Sequence, residues 1–510
     1  MNRVWRLALL LGAFCVGLGS MAGAAAAKPA PKPAKVKAGQ LDTTFGKGGK
    51  TSIAFPAENA GSTGVRYQLP FEFTPGHLEM AQAPDGKIVV AGASKIVRFL
   101  ADGKVDTSFG SGGVASVPRP SGQVFVLAGV AVDQQGRIVL AGLTRPQPTS
   151  STPDPVLSSA ALMRFDANGT LDTSFGSGGT LITDFGLGAP IAAGGPGGRY
   201  YGASVGLRDI VIDSAGRIVV SGGYVTELGS CERTPEAQGF VARLNDSGAL
   251  DTTFGEGGLR KVASITTLGQ LASRSSGYLA LGSGRPVCKG SNGPAALLTG
   301  LDEEGNLDPN FGSFGFRTLA FDEAPALSVA PSGKLLLLGR PFRRSFYEKK
   351  KVTVKTKDGK KKKVWKKVRV SVRAQTVQRL LPSGAADPSF GRIGKIDYID
   401  PNAGSLSALT ADAQERIYLV GRIGKRVSKS PNNPLHRTQF LVERTLGSGS
   451  FDNSFGKGGV VTTGFGGPAG SFATQVMFAG KGRLLVGGGI TSPQLETGGG
   501  FAIARYLTGK

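Results

Sequence analysis

One short motif returns seven times along this chain of 510 residues, and it constrains the fold more than any other feature of the sequence. The motif reads Gly, two residues, Asp, two residues, Phe-Gly, two residues, Gly, and successive copies lie 57 to 79 residues apart. Recurrence of this kind is the sequence signature of repeat architectures such as solenoids and propellers. The seven Asp and Phe pairs are Asp42 and Phe45, Asp106 and Phe109, Asp172 and Phe175, Asp251 and Phe254, Asp308 and Phe311, Asp387 and Phe390, and Asp452 and Phe455.

The sequence between two copies of the motif predicts four short β-strands. In the second unit these are 113–117, 125–133, 137–142 and 161–165, and turn residues bound each of them. Short apolar runs between Gly, Asn and Asp favour strands over helices. Four antiparallel strands cannot cover both of their faces alone, so neighbouring units are expected to stack radially. We therefore predict an all-β protein, a seven-bladed β-propeller of four-stranded antiparallel blades, with an open β-solenoid as the rival fold.

The two ends of the repeat region predict a closed ring. The chain finishes on a strand-like run and a glycine, 501–510, and the repeats begin with Leu41-Asp42. The last unit therefore stops at the phase at which the first unit starts, which a ring requires and an open solenoid does not. We expect a monomeric propeller over 41–510 whose two ends lie side by side.

Two segments show the repeat most clearly, namely 171–179 (LDTSFGSGG) and 216–222 (GRIVVSG). They resemble the delta-60 repeat, and the resemblance covers about 39–510. It implies a propeller on an exported bacterial protein, without a defined biochemical role. Units four to six depart from the pattern, because Gly300 replaces an arginine, prolines enter two of the turns, and Glu415 replaces a glycine. These departures put the local geometry in question, not the family.

Each element of the motif has a structural interpretation. The glycines allow positive φ angles, and the Asp with the Ser or Thr that follows it can hydrogen bond to local backbone N–H groups. Each Phe is expected to be buried between blades, at roughly 1.5–3 kcal/mol apiece. A calcium loop is the alternative, although one carboxylate per turn falls short of the roughly 6–8 oxygens that calcium prefers.

Arginines recur in the fourth predicted strand of the units. We interpret them as structural partners of nearby carboxylates or carbonyls, and a ring of arginines that binds carboxylate ligands is the alternative. They are Arg98, Arg164, Arg243, Arg379 and Arg444.

Insertions gather between the third and fourth predicted strands, at 143–159, 223–238, 283–294, 340–374 and 422–438. Equivalent loops of a propeller lie on one face, and variable loops on a rigid scaffold are where binding usually resides. Tolerated surface decoration is the alternative. Two of the loops carry Cys231 and Cys288, and an oxidising compartment favours a disulfide between them.

The fifth unit contains a strongly basic insertion, 343–373, with 15 Lys or Arg against Glu348 and Asp358. Asp358-Gly359 between two strand-like runs predicts a β-hairpin. A cationic hairpin attracts polyanions, and we expect wall polymers, anionic lipid head groups or acidic glycans rather than nucleic acid. A solvated hairpin that only deters edge pairing is the alternative. The candidate contacts are Lys349, Lys350, Lys351, Lys360, Lys361, Lys362, Lys363, Trp365, Lys366, Lys367, Arg369 and Arg373.

The N-terminus predicts an export signal over 1–27. Arg3 and Arg6 precede an apolar run, 7–19, and small residues follow it, which is the order of a secretory signal peptide. A short membrane anchor is the alternative. The Lys, Pro and Ala of 28–40 predict a disordered linker. We therefore expect the protein to be secreted or associated with a bacterial cell envelope.

The sequence offers no catalytic constellation. His77 and His436 share no spacing, and neither a His-x-x-x-His nor a Cys-x-x-Cys pattern occurs. We expect no catalytic residue, metal or cofactor, and a binding or scaffold module for an anionic polymer, a glycan or a protein partner. The alternatives are a hydrolase or lyase that acts on acidic polysaccharide through channel carboxylates, and a purely structural envelope module.

Overall fold

The computed structural model describes seventeen stretches of the chain. The predicted signal peptide, most of the predicted linker, His77, Cys231 and Cys288 lie outside them, so the disulfide remains a prediction. The described residues are 37–55, 78–119, 122–147, 158–187, 205–228, 235–262, 265, 267–284, 295–319, 321, 324, 326–355, 359–399, 404–426, 436–465, 470–491 and 499–509.

Every named element is a β-strand, and the strands form seven antiparallel sheets, which we call blades one to seven. After β1 (Lys50–Phe55), the first four blades contain β2 (Glu79–Gln82), β3 (Ile88–Ala91), β4 (Lys95–Phe99) and β5 (Val114–Ser116); β6 (Gln123–Val132), β7 (Ile138–Pro146), β8 (Ser159–Phe165) and β9 (Thr180–Thr183); β10 (Val205–Ile212), β11 (Ile218–Leu228), β12 (Pro235–Leu244) and β13 (Leu259–Val262); and β14 (Thr267–Arg274), β15 (Gly277–Gly284), β16 (Ala295–Leu301) and β17 (Phe316–Thr318). The last three blades contain β18 (Ala326–Val329), β19 (Leu335–Leu338), β20 (Phe342–Lys355), β21 (Lys361–Leu380) and β22 (Lys395–Ile399); β23 (Ser405–Ala411), β24 (Ile417–Arg426), β25 (His436–Thr445) and β26 (Val460–Thr463); and β27 (Gly470–Phe478), β28 (Arg483–Thr491) and β29 (Gly499–Leu507). In the described part of the chain, no helix has the length and apolar character needed to cross a membrane.

The apolar core is divided among the junctions between blades. Seven clusters of buried side chains occur, and each is shared by two neighbouring sheets, including blades seven and one. In the junction of blades seven and one, for example, Leu485 and Phe501 pack with Val90. A ring of seven shared cores confirms the predicted seven-bladed β-propeller, because an open solenoid would leave its two terminal sheets uncovered.

The structure corrects the predicted grouping of strands by one position. The strand that follows each motif completes the sheet of the three strands before it, so β5 pairs with β4 and belongs to blade one. The physical reason is that the motif is a tight connection between antiparallel neighbours, as the bridge between Phe99 and Val105 shows. Blade seven is therefore completed by β1, which pairs with β29 from Lys50 to Phe55.

Residues before position 41, the predicted start of the propeller, already hydrogen bond to its last blades. The Gly39 amide donates to the Leu507 carbonyl over 2.7 Å, and the Gly456 amide donates to the Ala38 carbonyl over 3.0 Å. Residues 37–40, expected in the linker, therefore belong to the last blade.

The alternating strand directions define two faces of the ring. Turns between the first two strands of a blade and the motifs share one face, which we call the motif face. Connections between the second and third strands lie on the opposite face, which we call the insertion face. All five predicted insertions lie at such connections, but the structure corrects their bounds, because their ends lengthen the flanking strands: 143–146, for example, belong to β7.

Candidate functional site: a cationic ribbon

An Asp, an Arg and a Phe build each junction on the motif face, and we call this arrangement the junction clamp. Arg444 lies 2.8 Å from the Asp452 carboxylate, and its guanidinium lies 4.7 Å from the centre of the Phe455 ring. The same guanidinium donates to the carbonyl of Thr508 in blade seven. One buried arginine thus joins its own motif to the next blade, which supports the structural interpretation over a ligand-binding ring of arginines.

Five further arginines repeat this geometry, and the sequence pattern had identified only four of them. The additional one is Arg505, whose partner Asp42 lies near the other end of the chain at 2.9 Å. The motif phenylalanines are all fully buried, as predicted. The complete repeated pairs are Arg98 with Asp106, Arg164 with Asp172, Arg243 with Asp251, Arg379 with Asp387, and Arg505 with Asp42.

The motif carboxylates are engaged by the chain itself. Burial alone raises the pKa of Asp452, but hydrogen bonds from Ser454 and the charge of Arg444 outweigh it and hold the pKa below its usual value. The Ser454 amide and hydroxyl donate to one oxygen over 2.9 and 2.6 Å, while Arg444 contacts the other. Within the described residues no group of three or more His, Cys, Asp or Glu is arranged so that it could hold a metal ion.

Blade four builds its clamp with a different arginine. Where the other blades have an arginine, Gly300 stands, and a Cβ there would lie 2.5 Å from Cγ of Phe311. Arg274, at the end of β14, instead lies 2.6 Å from Asp308 and 5.3 Å from the centre of the Phe311 ring. The exchange preserves the contacts to the motif Asp and Phe, whereas the carbonyl to which Arg274 donates, that of Leu301, lies in its own blade rather than in the next one.

The other departures from the repeat also keep the local geometry. Glu415 has a φ of 61°, in the region that favours glycine. Its carboxylate lies 2.6 Å from Lys334 and 3.3 Å from Arg379, which places it between blades five and six. After Pro388, the Ser389 amide still donates to Asp387 over 2.9 Å, as in the other turns.

Acid is expected to weaken the clamp of blade five. Burial alone raises the pKa of Asp387, but Ser389, Arg379 and Lys334 lower it to about 2. The unfolded value is about 3.9, so this carboxylate contributes on the order of 2 kcal/mol above that pH, and the contribution is lost as the pH falls towards 2. Urea unfolding at a series of pH values measures this contribution. Between about pH 4 and pH 2, the free energy of unfolding should fall less in Asp387→Asn than in the wild type. Parallel pH profiles for the two proteins would contradict the assignment.

The basic insertion forms a long two-stranded ribbon on the insertion face. β20 pairs with β21 in a continuous antiparallel register from Phe342 opposite Ala374 to Lys355 opposite Lys361. The fourteen paired positions span about 45 Å at roughly 3.3 Å per residue. Only the final part of β21, Val377–Leu380, pairs with β19 inside the blade. The ribbon therefore projects from the sheet of blade five.

The register sorts the ribbon side chains onto two faces, because opposed residues share a face and successive residues alternate. The first carries most of the positive charge, and we call it the cationic face. No acidic residue among the described positions of the ribbon lies on it. Its charged and aromatic members are Arg343, Lys349, Lys351, Lys361, Lys363, Lys367, Arg369, Arg373, Tyr347 and Trp365.

The aromatic side chains of the cationic face are open to solvent. Trp365 is 64% exposed and Tyr347 is 70% exposed. The ammonium of Lys351 lies 5.3 Å from the centre of the Trp365 ring, within the range of a cation–π contact. Aromatic surface and positive charge are thus interleaved along one side of the ribbon.

The opposite face is mainly apolar, and we call it the valine face. Its polar members are few, and two of them are paired locally: Glu348 lies 3.1 Å from Lys350, and Arg344 lies 2.9 Å from Asp397. Lys362 and Lys366 also lie on this side by register. The apolar members are Phe342, Phe346, Val352, Val354, Val364, Val368, Val370 and Val372.

The structure divides the predicted polyanion contacts into two groups. Seven of the predicted cations lie on the cationic face, whereas Lys350, Lys362 and Lys366 lie on the valine face and Lys360 lies outside the paired strands. Arg343, absent from the predicted set, joins the cationic face opposite Arg373. Alternation along each strand was visible in the sequence, but the residue opposite each position was not.

The innermost strands offer little carboxylate chemistry. Neighbouring first strands of the blades contact one another around the ring, and along their described lengths only Glu79 and Asp209 are acidic. Both are used between blades, since Gln475 donates to Glu79 and the Leu271 amide donates to Asp209 over 2.8 Å. These contacts do not favour the alternative of a hydrolase with paired channel carboxylates.

A cleft of about 300 Å³ lies on the motif face between blades three and four. Charges of both signs line it, and Asp213 accepts from Arg217 and from the Tyr278 hydroxyl, each over 2.7 Å. Arg274, also in the wall, is held by Asp308. The cleft therefore presents balanced charge rather than a recognition site of one sign.

Together these features define a seven-bladed β-propeller with a cationic ribbon on its fifth blade. A family model described as "Domain of unknown function (DUF5122) beta-propeller" matches 83–109 and 136–175. The match supports a bacterial family of β-propeller repeats, and the delta-60 repeat remains a prediction. No curated protein is detectably similar to the chain in sequence.

Several solved structures are similar at low identity. A protein of unknown function from Dyadobacter fermentans is 11% identical, with 83% of this chain and 99% of that chain covered and a TM-score of 0.38. A protein of unknown function from Bacteroides caccae is 13% identical, with 50% and 87% covered and a TM-score of 0.21. A polysaccharide lyase, the PL25 ulvan lyase, is 10% identical, with 71% and 79% covered and a TM-score of 0.26. Values this low do not extend any activity of these proteins to this chain.

Proposed function

We propose that this protein is an exported, non-enzymatic propeller that binds anionic polymers along the cationic face of its ribbon. The observation that carries the proposal is the separation of charge, with eight Lys or Arg and no acidic residue on the described cationic face. A surface that carries one sign of charge raises the local concentration of ligands of the opposite sign. The polymers that an exported protein meets are wall polymers and acidic glycans.

The spacing of the cations favours a linear ligand over a small one. Same-face residues recur about every 6.7 Å along a strand, and opposed residues lie about 5 Å apart. A chain with a negative group on each repeat can therefore contact several cations in turn along the 45 Å or so of the ribbon. Trp365 and Tyr347 add flat apolar surface between the charges, which suits the apolar face of a sugar ring.

Two matched triple variants test the proposal. Lys351, Lys363 and Lys367→Gln removes three charges from the cationic face, and Lys350, Lys362 and Lys366→Gln removes three from the valine face of the same ribbon. With about 1 kcal/mol per cation near a charged surface, we expect the first variant to bind a polyuronate or a sulfated glycosaminoglycan roughly 100-fold more weakly at low salt. The second variant should lose much less affinity.

The salt dependence and a deletion provide the controls. The affinity of the wild type should fall steeply as salt is added. Single-stranded DNA serves as a calibrated polyanion, and the slope of log affinity against log salt concentration should become shallower by about two in the first variant. A chain without 343–373 should keep its melting temperature and lose the salt-sensitive binding. Equal losses in the two triple variants, or unchanged binding after the deletion, would contradict the proposed site.

A further inference from the structure

The valine face of the ribbon is an apolar surface that the described blades leave uncovered. β20 pairs only with β21 among the described strands. Phe342 is 40% exposed and Phe346 is 39% exposed. An isolated two-stranded ribbon is only marginally stable in water. Apolar and polar residues alternate over 351–354 and 367–373, which is the pattern of a half-buried strand. These features indicate that another surface covers the valine face.

The valine face could be covered by a second copy of the ribbon or by a lipid surface, and the charge on the ribbon decides between the two. A second copy of the ribbon, packed valine face to valine face, would lie about 10 Å away and would enclose Lys350, Lys362 and Lys366 of both copies between the two sheets. Charges enclosed between two sheets are screened by salt much less than exposed charges, so the lysines of the two copies would repel one another. A surface that is apolar inside and anionic outside satisfies both kinds of side chain.

We propose that the ribbon lies flat on an anionic lipid bilayer, with its valine face in the boundary between head groups and acyl chains. Amphipathic segments with a cationic polar face and an apolar opposite face bind bilayers in this way. Lys350, Lys362 and Lys366 sit among the valines, and their long aliphatic stems allow their ammonium groups to reach the head groups. The cationic face then points away from the bilayer and stays open to a soluble polymer.

This inference goes beyond the proposed function, because the two rest on opposite faces of the ribbon. The probes are vesicles of pure phosphatidylcholine and vesicles of two parts phosphatidylcholine to one part phosphatidylglycerol. We expect the full-length wild type to sediment with the anionic vesicles and not with the zwitterionic ones.

The decisive variant is Val352, Val364 and Val368→Thr, which keeps side-chain shape and β-propensity while removing apolar surface. We expect at least about tenfold weaker binding to the anionic vesicles, since membrane affinity scales with buried apolar area. Binding of a soluble polyuronate should be unchanged, and an unaltered melting temperature shows that the fold is intact. Vesicle binding by charge alone predicts no loss in this variant.

Three results would overturn the inference. The wild type could fail to bind the anionic vesicles, or the threonine variant could bind them as tightly as the wild type. The wild type could also self-associate without lipid in a way that the threonine variant abolishes, which would identify a second copy as the occupant. Loss of polyuronate binding in Lys351, Lys363 and Lys367→Gln bears on the proposed function only, so the two proposals can fail separately.

Discussion

A chain without residues 37–55 is expected to lose its folded state, whereas a circularly permuted chain that carries residues 38–55 after Thr508 is expected to keep it. The segment supplies β1, whose six residues complete blade seven against β29. It also supplies Asp42, the partner of Arg505, and Phe45, which is fully buried in the junction of blades seven and one. Its loss would expose a strand edge and leave a buried arginine unpaired.

The neighbouring blades define how the permuted chain should be joined. In blade one, seven positions separate Phe99 from Asp106. Tyr506 and Asp42 are the counterparts of Phe99 and Asp106 in the last blade, and joining Thr508 directly to Ala38 gives them the same separation of seven positions. The permuted chain then begins at residue 56, which precedes blade one. Thermal unfolding followed by circular dichroism would compare the three chains. A stable deletion variant, or a permuted chain that fails to fold, would show that β1 does not close the ring.

Arg444→Ala is expected to destabilise the protein by about 3–5 kcal/mol, the range for breaking a buried ion pair from one side. The side chain of Arg444 is 1% exposed, and it holds Asp452 at 2.8 Å and Ser454 at 2.8 Å. It also donates to the carbonyl of Thr508 in the next blade. Removal leaves a desolvated carboxylate and a carbonyl without their donor, and it opens space over Phe455.

Arg483→Ala is the matched control for this prediction. Arg483 contacts Asp42 at 3.0 Å, but its side chain is 48% exposed. Solvent screens an ion pair of this kind, so its loss should cost only about 0–1 kcal/mol. Both substitutions remove an Arg–Asp ion pair, one buried and one half exposed, and urea unfolding measures the free energy that each pair contributes. Similar costs for both substitutions would mean that the clamp holds the blades together no more strongly than a surface pair.

The local sequence pattern predicts that the ribbon exists, but it does not predict which side chains make up the cationic face. A run of 15 cations with an Asp-Gly turn is enough to predict a basic hairpin in the fifth unit. The faces depend on which residues of the two strands oppose each other, and this register depends on the number of residues between Lys355 and Lys361. A slip of one residue moves every side chain of a strand to the other face. The lysines of β21 that share a face with Lys351 could therefore not be identified before the register was known.

Two long-range pairings show the same limit within the propeller. Arg98 and Asp106 are eight residues apart, so the motif with its preceding strand predicts their contact. Arg505 and Asp42 are 463 residues apart, and only closure of the ring brings them together. Arg274 replaces the arginine missing at Gly300 because the end of β14 lies beside the motif of its own blade, a proximity that no local pattern encodes.

The number of blades, the four strands of each and the burial of the motif phenylalanines follow from the sequence by itself. They depend on turn chemistry and on alternation over a few residues, which act before any distant contact forms. Only the tertiary structure decided which sheet each strand completes, which arginine pairs with Asp308 in blade four, and which ribbon side chains share a face. Those outcomes depend on pairings between segments far apart in the chain, and the packing of whole blades selects them.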